Sequence, residues 1–162
     1  MADNFAAHFL GRHGLDGLTR RKRKRVIIID RKPYTAHPRS TPGKMPRVVQ
    51  NLSSLEQSLK SAGGDVKILD FAQLRFKEQL KEVRQADVLV GIHGAGLSHV
   101  MFMDEGSTLV ELATNNLGMF SGFANWRPKV KYEEIRISKG GANYVLKPGD
   151  IEKVVKVMMN SN

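Results

Sequence analysis

Four short apolar runs, each followed by polar or helically spaced sequence, constrain this chain more than any other feature. They are Val26-Ile27-Ile28-Ile29, Val66-Lys67-Ile68-Leu69, Val88-Leu89-Val90 and Thr108-Leu109-Val110-Glu111-Leu112. The first and third are apolar at every position. Such a run has no face to give to water, which fits a parallel strand held between two layers of helices. Glu134 to Ile137 suggests a fifth strand.

The segments between the runs read as helices. Leu52, Leu55, Leu59 and Ala62 fall on one helical face. Ser53 with Glu56 matches a capping box, and Gly63-Gly64 suits the C-terminal stop. Phe76, Leu80 and Val83 form the inner face of a second helix, and Leu97, Val100 and Met101 of a third. Pro148-Gly149-Asp150 opens a last helix whose inner face is Ile151, Val154, Val155 and Met158. Strands alternating with helices predict a Rossmann-like α/β domain: three α/β/α layers around a mainly parallel sheet. It covers residues 26–162, after a basic, weakly ordered arm at 1–25 with a short helix near Phe5–Leu10. Ligands of such sheets sit beyond the carboxyl ends of the strands, so Asp30-Arg31, Asp70-Phe71, Ile92–Gly96 and Glu111–Thr114 are expected to share one rim.

The third run passes directly into Gly91-Ile92-His93-Gly94-Ala95-Gly96-Leu97-Ser98-His99. Four chemistries compete for it. A dinucleotide fingerprint would need a third glycine where His99 stands, and would follow the first strand. An esterase oxyanion hole would need a Gly-x-Ser-x-Gly elbow, which the sequence lacks. A metal site from His93 and His99 has the wrong spacing and no carboxylate in the motif. An anion site at a helix N-terminus fits best, because glycines let backbone N–H groups approach a phosphate. The helix end contributes only ~0.3–1 kcal/mol, so further donors are required. His93 and Arg31, both at strand exits, can supply them. The plain alternative is that the glycines only allow strand and helix to pack closely. His99, inside the helix, reads as structural or as a support behind the residues that would meet a ligand.

Glu111 interrupts an apolar strand near its end. A carboxylate there must be paired. It can accept ribose hydroxyls, or it can pair with one of the many basic side chains.

Composition excludes several classes. The chain of 162 residues has no cysteine, so disulfides, thiolate metal sites and a cysteine nucleophile are ruled out. No apolar stretch is long enough to span a membrane, and the N-terminal segment does not read as a signal peptide. Arg20-Arg21-Lys22-Arg23-Lys24-Arg25 supplies six charges of the net +10. A proline-rich basic loop at 33–47 adds to it. A second function class therefore stands open: a non-catalytic α/β module whose arm and loop bind nucleic acid or an anionic surface. No aromatic residue interleaves with the run, which weakens a base-stacking role.

The stretch from Phe76 to Leu112 resembles glycosyltransferase family 61. The similar elements are Glu78-Gln79, Gly91 to Leu97, Phe102 and Glu111-Leu112, with Ile29-Asp30-Arg31 similar to the family's first strand and its exit arginine. The resemblance implies one half of a GT-B enzyme that inverts the anomeric configuration of a UDP-sugar. On it, Arg31, His93, Gly94, Ala95, Gly96, Leu97 and Glu111 are the donor-binding residues. It implies no cofactor and no metal requirement, a glycan or protein acceptor, and a location in the ER or Golgi lumen. The catalytic base in such enzymes generally comes from the other half. It is expected from a missing N-terminal domain or a second chain, so no base is assigned within this sequence; the catalytic residue stays unknown, with His93 a candidate.

Overall fold

The computed structural model describes residues 2–18, 24–32, 47–114, 118–127, 129–140 and 143–161. Helix α1 (Ala2–Arg12) precedes strand β1 (Arg25–Ile29). Helix α2 (Leu52–Ser61), β2 (Asp65–Leu69), α3 (Phe76–Arg84), β3 (Val88–Ile92), β4 (Thr108–Ala113), α4 (Met119–Asn125) and β5 (Lys131–Arg136) follow. Short strands β6 (Ser138–Gly140) and β7 (Asn143–Val145) pair antiparallel before α5 (Pro148–Asn160). Two 3-10 helices, Phe71–Gln73 and Ala95–Phe102, follow β2 and β3.

The five long strands form one parallel sheet in the order β2-β1-β3-β4-β5. The apolar runs are buried on both sides, as their composition demands. Val26, Ile28, Val88, Val90, Val110 and Leu112 meet α2 and α5. Ile27, Ile29, Leu89 and Leu109 meet α3, the second 3-10 helix and α4. This is the three-layer α/β/α arrangement expected of the sequence.

Helix α2 stops as the glycine pair predicts. Gly63 has φ +89°, and the amides of Gly63 and Gly64 return to the carbonyls of Lys60 and Leu59 at 2.9 and 3.0 Å. Its start differs. The Ser53–Glu56 capping box does not form. Asn51 is the N-cap, and its side chain bonds both ways to the backbone of Leu146 at 2.9 Å. Glu56 instead pairs with Lys60, one turn on, at 2.7 Å. Tertiary bonding to the strand leading into α5 has replaced a local cap.

Three further differences have physical causes. Phe76, expected to face inward, is 44% exposed because it sits in the first turn of α3, beside the rings of Phe9 and Phe102. The fifth strand starts at Lys131, ahead of Glu134, because an edge strand can carry charges outward while Ile135 faces the core. At the N-terminus the helix is longer than the sequence suggests. Leu10 and Leu15 are buried against Leu80, so this part of the 1–25 segment packs on the domain. Residues 19–23 and 33–46, which hold most of the basic run and the proline-rich loop, lie outside the described residues.

Gly91 shows why the glycine motif begins where it does. A Cβ there would lie 2.9 Å from Leu97 Cδ2 and 3.3 Å from Ile29 Cβ. The 3-10 helix can rest on the sheet only over a bare backbone. Gly91→Ala is therefore expected to cost about 1–3 kcal/mol by overpacking, measured by chemical denaturation. An unchanged midpoint would show that the layers can part without cost.

Candidate functional site

The strand order reverses between β1 and β3, and a pocket opens there at the carboxyl ends of the strands. Ile29, Asp30 and Arg31 come from β1 and its exit. Asp70, Phe71 and Ala72 come from the exit of β2. Ile92, Gly94, Ala95, Gly96 and Leu97 come from β3 and its exit. Three of the four expected rim segments thus meet. The fourth does not line the pocket.

Among the described residues, Arg31 is the cation that lines this pocket, beside Asp30 and Asp70. Its Nη1 donates to the carbonyl oxygen of His93 at 2.9 Å. Its guanidinium lies so close to Gly94 that a Cβ there would be 2.4 Å from Nη1. Gly94 is extended, with φ 170°, so the glycine is needed for space and not for backbone conformation. Gly96 likewise clears Ile29, whose Cδ1 would be 3.1 Å from an added Cβ. Close packing and ligand access are therefore both served by the same glycines, at different positions.

The helix after Gly94 is 3-10, not α. Its first return bond runs from the Leu97 amide to the Gly94 carbonyl at 2.9 Å. The Ala95 and Gly96 amides precede that bond, and both residues line the pocket. Asp70 caps the neighbouring 3-10 turn by accepting from the Ala72 amide at 3.0 Å, and Asp30 pairs with Lys32 at 2.6 Å.

His93 and Glu111 form a second group beside this pocket. Both are buried, and His93 Nδ1 bonds to Glu111 Oε1. Glu111 Oε2 accepts from the Tyr132 hydroxyl at 2.7 Å. Burial and then this bond push the Tyr132 phenol far above its ordinary value, so it stays a donor. Both Glu111 oxygens are thus bonded to protein side chains, and the buried side chain does not line the pocket. It is also not at a strand exit, since β4 continues to Ala113. Tyr132 escapes a sequence reading because it precedes the apparent start of the fifth strand. Its signal is register: Leu109 pairs with Tyr132 and Glu111 with Glu134, so all four share one face.

His99 is structural in the described residues. It is buried among Phe71, Phe76 and Phe102, and its Nδ1 donates to the Gly96 carbonyl at 3.0 Å. Nε2 is buried with no partner. Burial holds this imidazole below its ordinary value, against the Gly96 bond that favours the charged form. A histidine depressed in the fold gives its full stability above the unfolded value, near 6.5, and loses it as pH falls below that point. Between pH 7 and 5, wild type is expected to lose up to about 1.4 kcal/mol per pH unit more than His99→Leu. Parallel pH profiles in urea denaturation would contradict this.

Among the described residues, no group of three or more His, Asp or Glu side chains could hold a metal, and no helix is long and apolar enough to cross a membrane.

A parallel α/β sheet with a glycine-lined pocket at its switch point, carrying Arg31, Asp30 and Asp70 on its walls, defines a Rossmann-like α/β domain, a class whose ligands sit at the strand ends. The glycosyltransferase 61 profile matches residues 2–110. The chain belongs to that family. It is 27% identical over 120 residues to a beta-1,2-xylosyltransferase of Oryza sativa subsp. japonica, covering 69% of this chain and 22% of the relative. It is 35% identical over 69 residues to the EGF domain-specific O-linked N-acetylglucosamine transferase of Gallus gallus, covering 41% of this chain and 13% of the relative. The Xenopus laevis enzyme of the same name is 36% identical over the same length, with the same coverage of each chain. The chain thus spans less than a quarter of the length of these relatives.

Proposed function

We propose that this chain is the donor-binding domain of an inverting glycosyltransferase, with a UDP-sugar as donor. The observation that carries the reading is the Arg31 guanidinium, laid against Gly94 in the pocket at the β1/β3 switch point. A diphosphate in that pocket would meet Arg31 together with the amides of Ala95 and Gly96, with Leu97 closing the floor. These donors oppose the charge that develops on departing UDP, an electrostatic contribution to transfer. His93 fixes Arg31 through its carbonyl, and in this reading its ring, beside the pocket, meets the same ligand. Asp70 lines the pocket, and its cap bond uses only one carboxylate oxygen, so we assign hydroxyl recognition to Asp70 in place of Glu111. The acceptor, a glycan or a protein, and the base that deprotonates it belong to another domain or a second chain in this reading. It invokes no metal, because Arg31 and the amides supply the positive potential. ER or Golgi lumen is the compartment that fits such an enzyme.

Calorimetric titration with UDP, with GDP and AMP as controls, tests the reading. UDP is expected to bind selectively, unchanged by EDTA, and Arg31→Ala to weaken it at least about tenfold, the loss of one charge-assisted bond. Failure of UDP to bind, or equal affinity in Arg31→Ala, would overturn the assignment.

A further inference from the structure

We infer that Glu111 and Tyr132 are positioning residues that decide which nitrogen of His93 meets a ligand. Only the affinity arm of the test below rests on the donor-site reading above.

The geometry is a relay from the exit of β3 across β4 to β5, buried at His93 and Glu111 and half-buried at Tyr132. Glu111, in the middle of β4, puts one carboxylate oxygen on His93 Nδ1 and the other on the Tyr132 hydroxyl from β5. An ionised carboxylate only accepts, so Nδ1 must carry the hydrogen. Tyr132 holds the carboxylate from behind. Its hydroxyl also lies 3.5 Å from Glu134 Oε2, and Arg136 binds Glu134 Oε1 at 2.8 Å. The relay thus starts at the charged edge strand and ends at the imidazole.

The rest of the His93 surroundings fix the ring equally well. Phe120 of α4 meets it edge to face, with centroids 5.0 Å apart. The His93 amide donates to the Leu112 carbonyl at 3.2 Å, and its carbonyl accepts from Arg31. The charged or titratable groups around it are therefore Glu111, Tyr132 and Glu134 on the sheet and Arg31 at the pocket. Nε2 alone bonds to no described protein atom. The His93 side chain as a whole keeps 6% of its exposure. A packing residue would not need the Glu111 bond. An apolar side chain at 111 would fill the space without the cost of burying a carboxylate. The structure spends that carboxylate on one outcome: Nδ1 is committed inward and Nε2 is left for a partner. That nitrogen accepts a proton or hydrogen bond when the ring is neutral, and donates to a phosphate oxygen when it is charged.

The test is nitrogen-15 NMR of the His93 ring in wild type, Glu111→Gln and Tyr132→Phe, with UDP titrations of the same three proteins. Wild type is expected to show a single tautomer protonated at Nδ1. Glu111→Gln, which keeps the volume, is expected to mix the tautomers, and Tyr132→Phe to shift them the same way by less. UDP affinity is expected to fall about tenfold in Glu111→Gln and less in Tyr132→Phe. In a His93→Ala background, Tyr132→Phe should have no further effect on affinity, whereas a purely structural role would leave the two losses additive. Ring spectra unchanged in both variants, or additive losses, would sink the inference. If wild type binds no UDP, the donor reading fails, while the ring spectra still decide whether Glu111 and Tyr132 set the tautomer.

Discussion

Arg25→Ala is expected to destabilise the domain by about 3–5 kcal/mol, although Arg25 reads in the sequence as the last charge of a solvated run. The side chain is 1% exposed. Its Nη2 bonds to Glu82, its Nη1 lies 4.0 Å from Asp65, and its amide donates to Asp87 Oδ2 at 2.8 Å. Alanine removes a large buried side chain and strips Glu82 of its buried partner, leaving Lys67 at 3.1 Å. Burial raises the Glu82 carboxyl, but the bonds from Arg25 and Lys67 outweigh it and hold the group below its ordinary value. That stability is present above the unfolded carboxylate value, near 4.3, and is lost as pH falls through the lower folded value. Arg25 also has a cost: Nε and Nη1 are buried without hydrogen-bond partners. Arg25→Met fills the space and removes those orphans, so its loss is expected to be about half that of alanine. Chemical denaturation of both variants measures this. A change within about 0.5 kcal/mol for alanine, the usual surface value, would show that the side chain is not held as described.

The second large effect concerns ligand and not fold. Gly94→Ala is expected to lower UDP affinity by about tenfold or more while changing stability by less than about 1 kcal/mol. An added Cβ would sit 2.4 Å from Arg31 Nη1. A side-chain tip can move away, and the extended backbone of Gly94 accepts alanine without strain. The guanidinium must therefore leave its place and its bond to the His93 carbonyl. Gly91→Ala, three residues earlier, is expected to do the reverse: it strikes Leu97 and Ile29 in the core and costs stability. Comparing UDP titration and denaturation in the two variants separates the roles of neighbouring glycines. Equal affinity in Gly94→Ala and wild type would detach Arg31 from donor binding.

Much of the fold is legible in the chain because its strands are short, apolar and separated by helical spacing. Val26–Ile29 and Val88–Val90 can be buried on both faces only in a layered parallel sheet, and they are. Caps that rest on local backbone were also readable: Gly63 ends α2, and Pro148 opens α5 with Asp150 accepting from the Lys147 amide at 3.0 Å. The cap of α2 was not, because Asn51 serves Leu146, far along the chain.

The sequence by itself determined the class of fold and pointed to the exit of β3, where a pocket lined by Arg31 and by Gly94 to Leu97 opens. These follow from local pattern, since strand ends and glycine spacing are properties of neighbours. Only the tertiary structure decided that Arg25 is buried, that Glu111 turns to His93 and Tyr132, and that Glu111 stays outside the pocket lined by the other three strand exits. Each of these depends on register between strands distant in sequence. A carboxylate in an apolar strand announces that it needs a partner, but which partner it finds is set by the neighbouring strands.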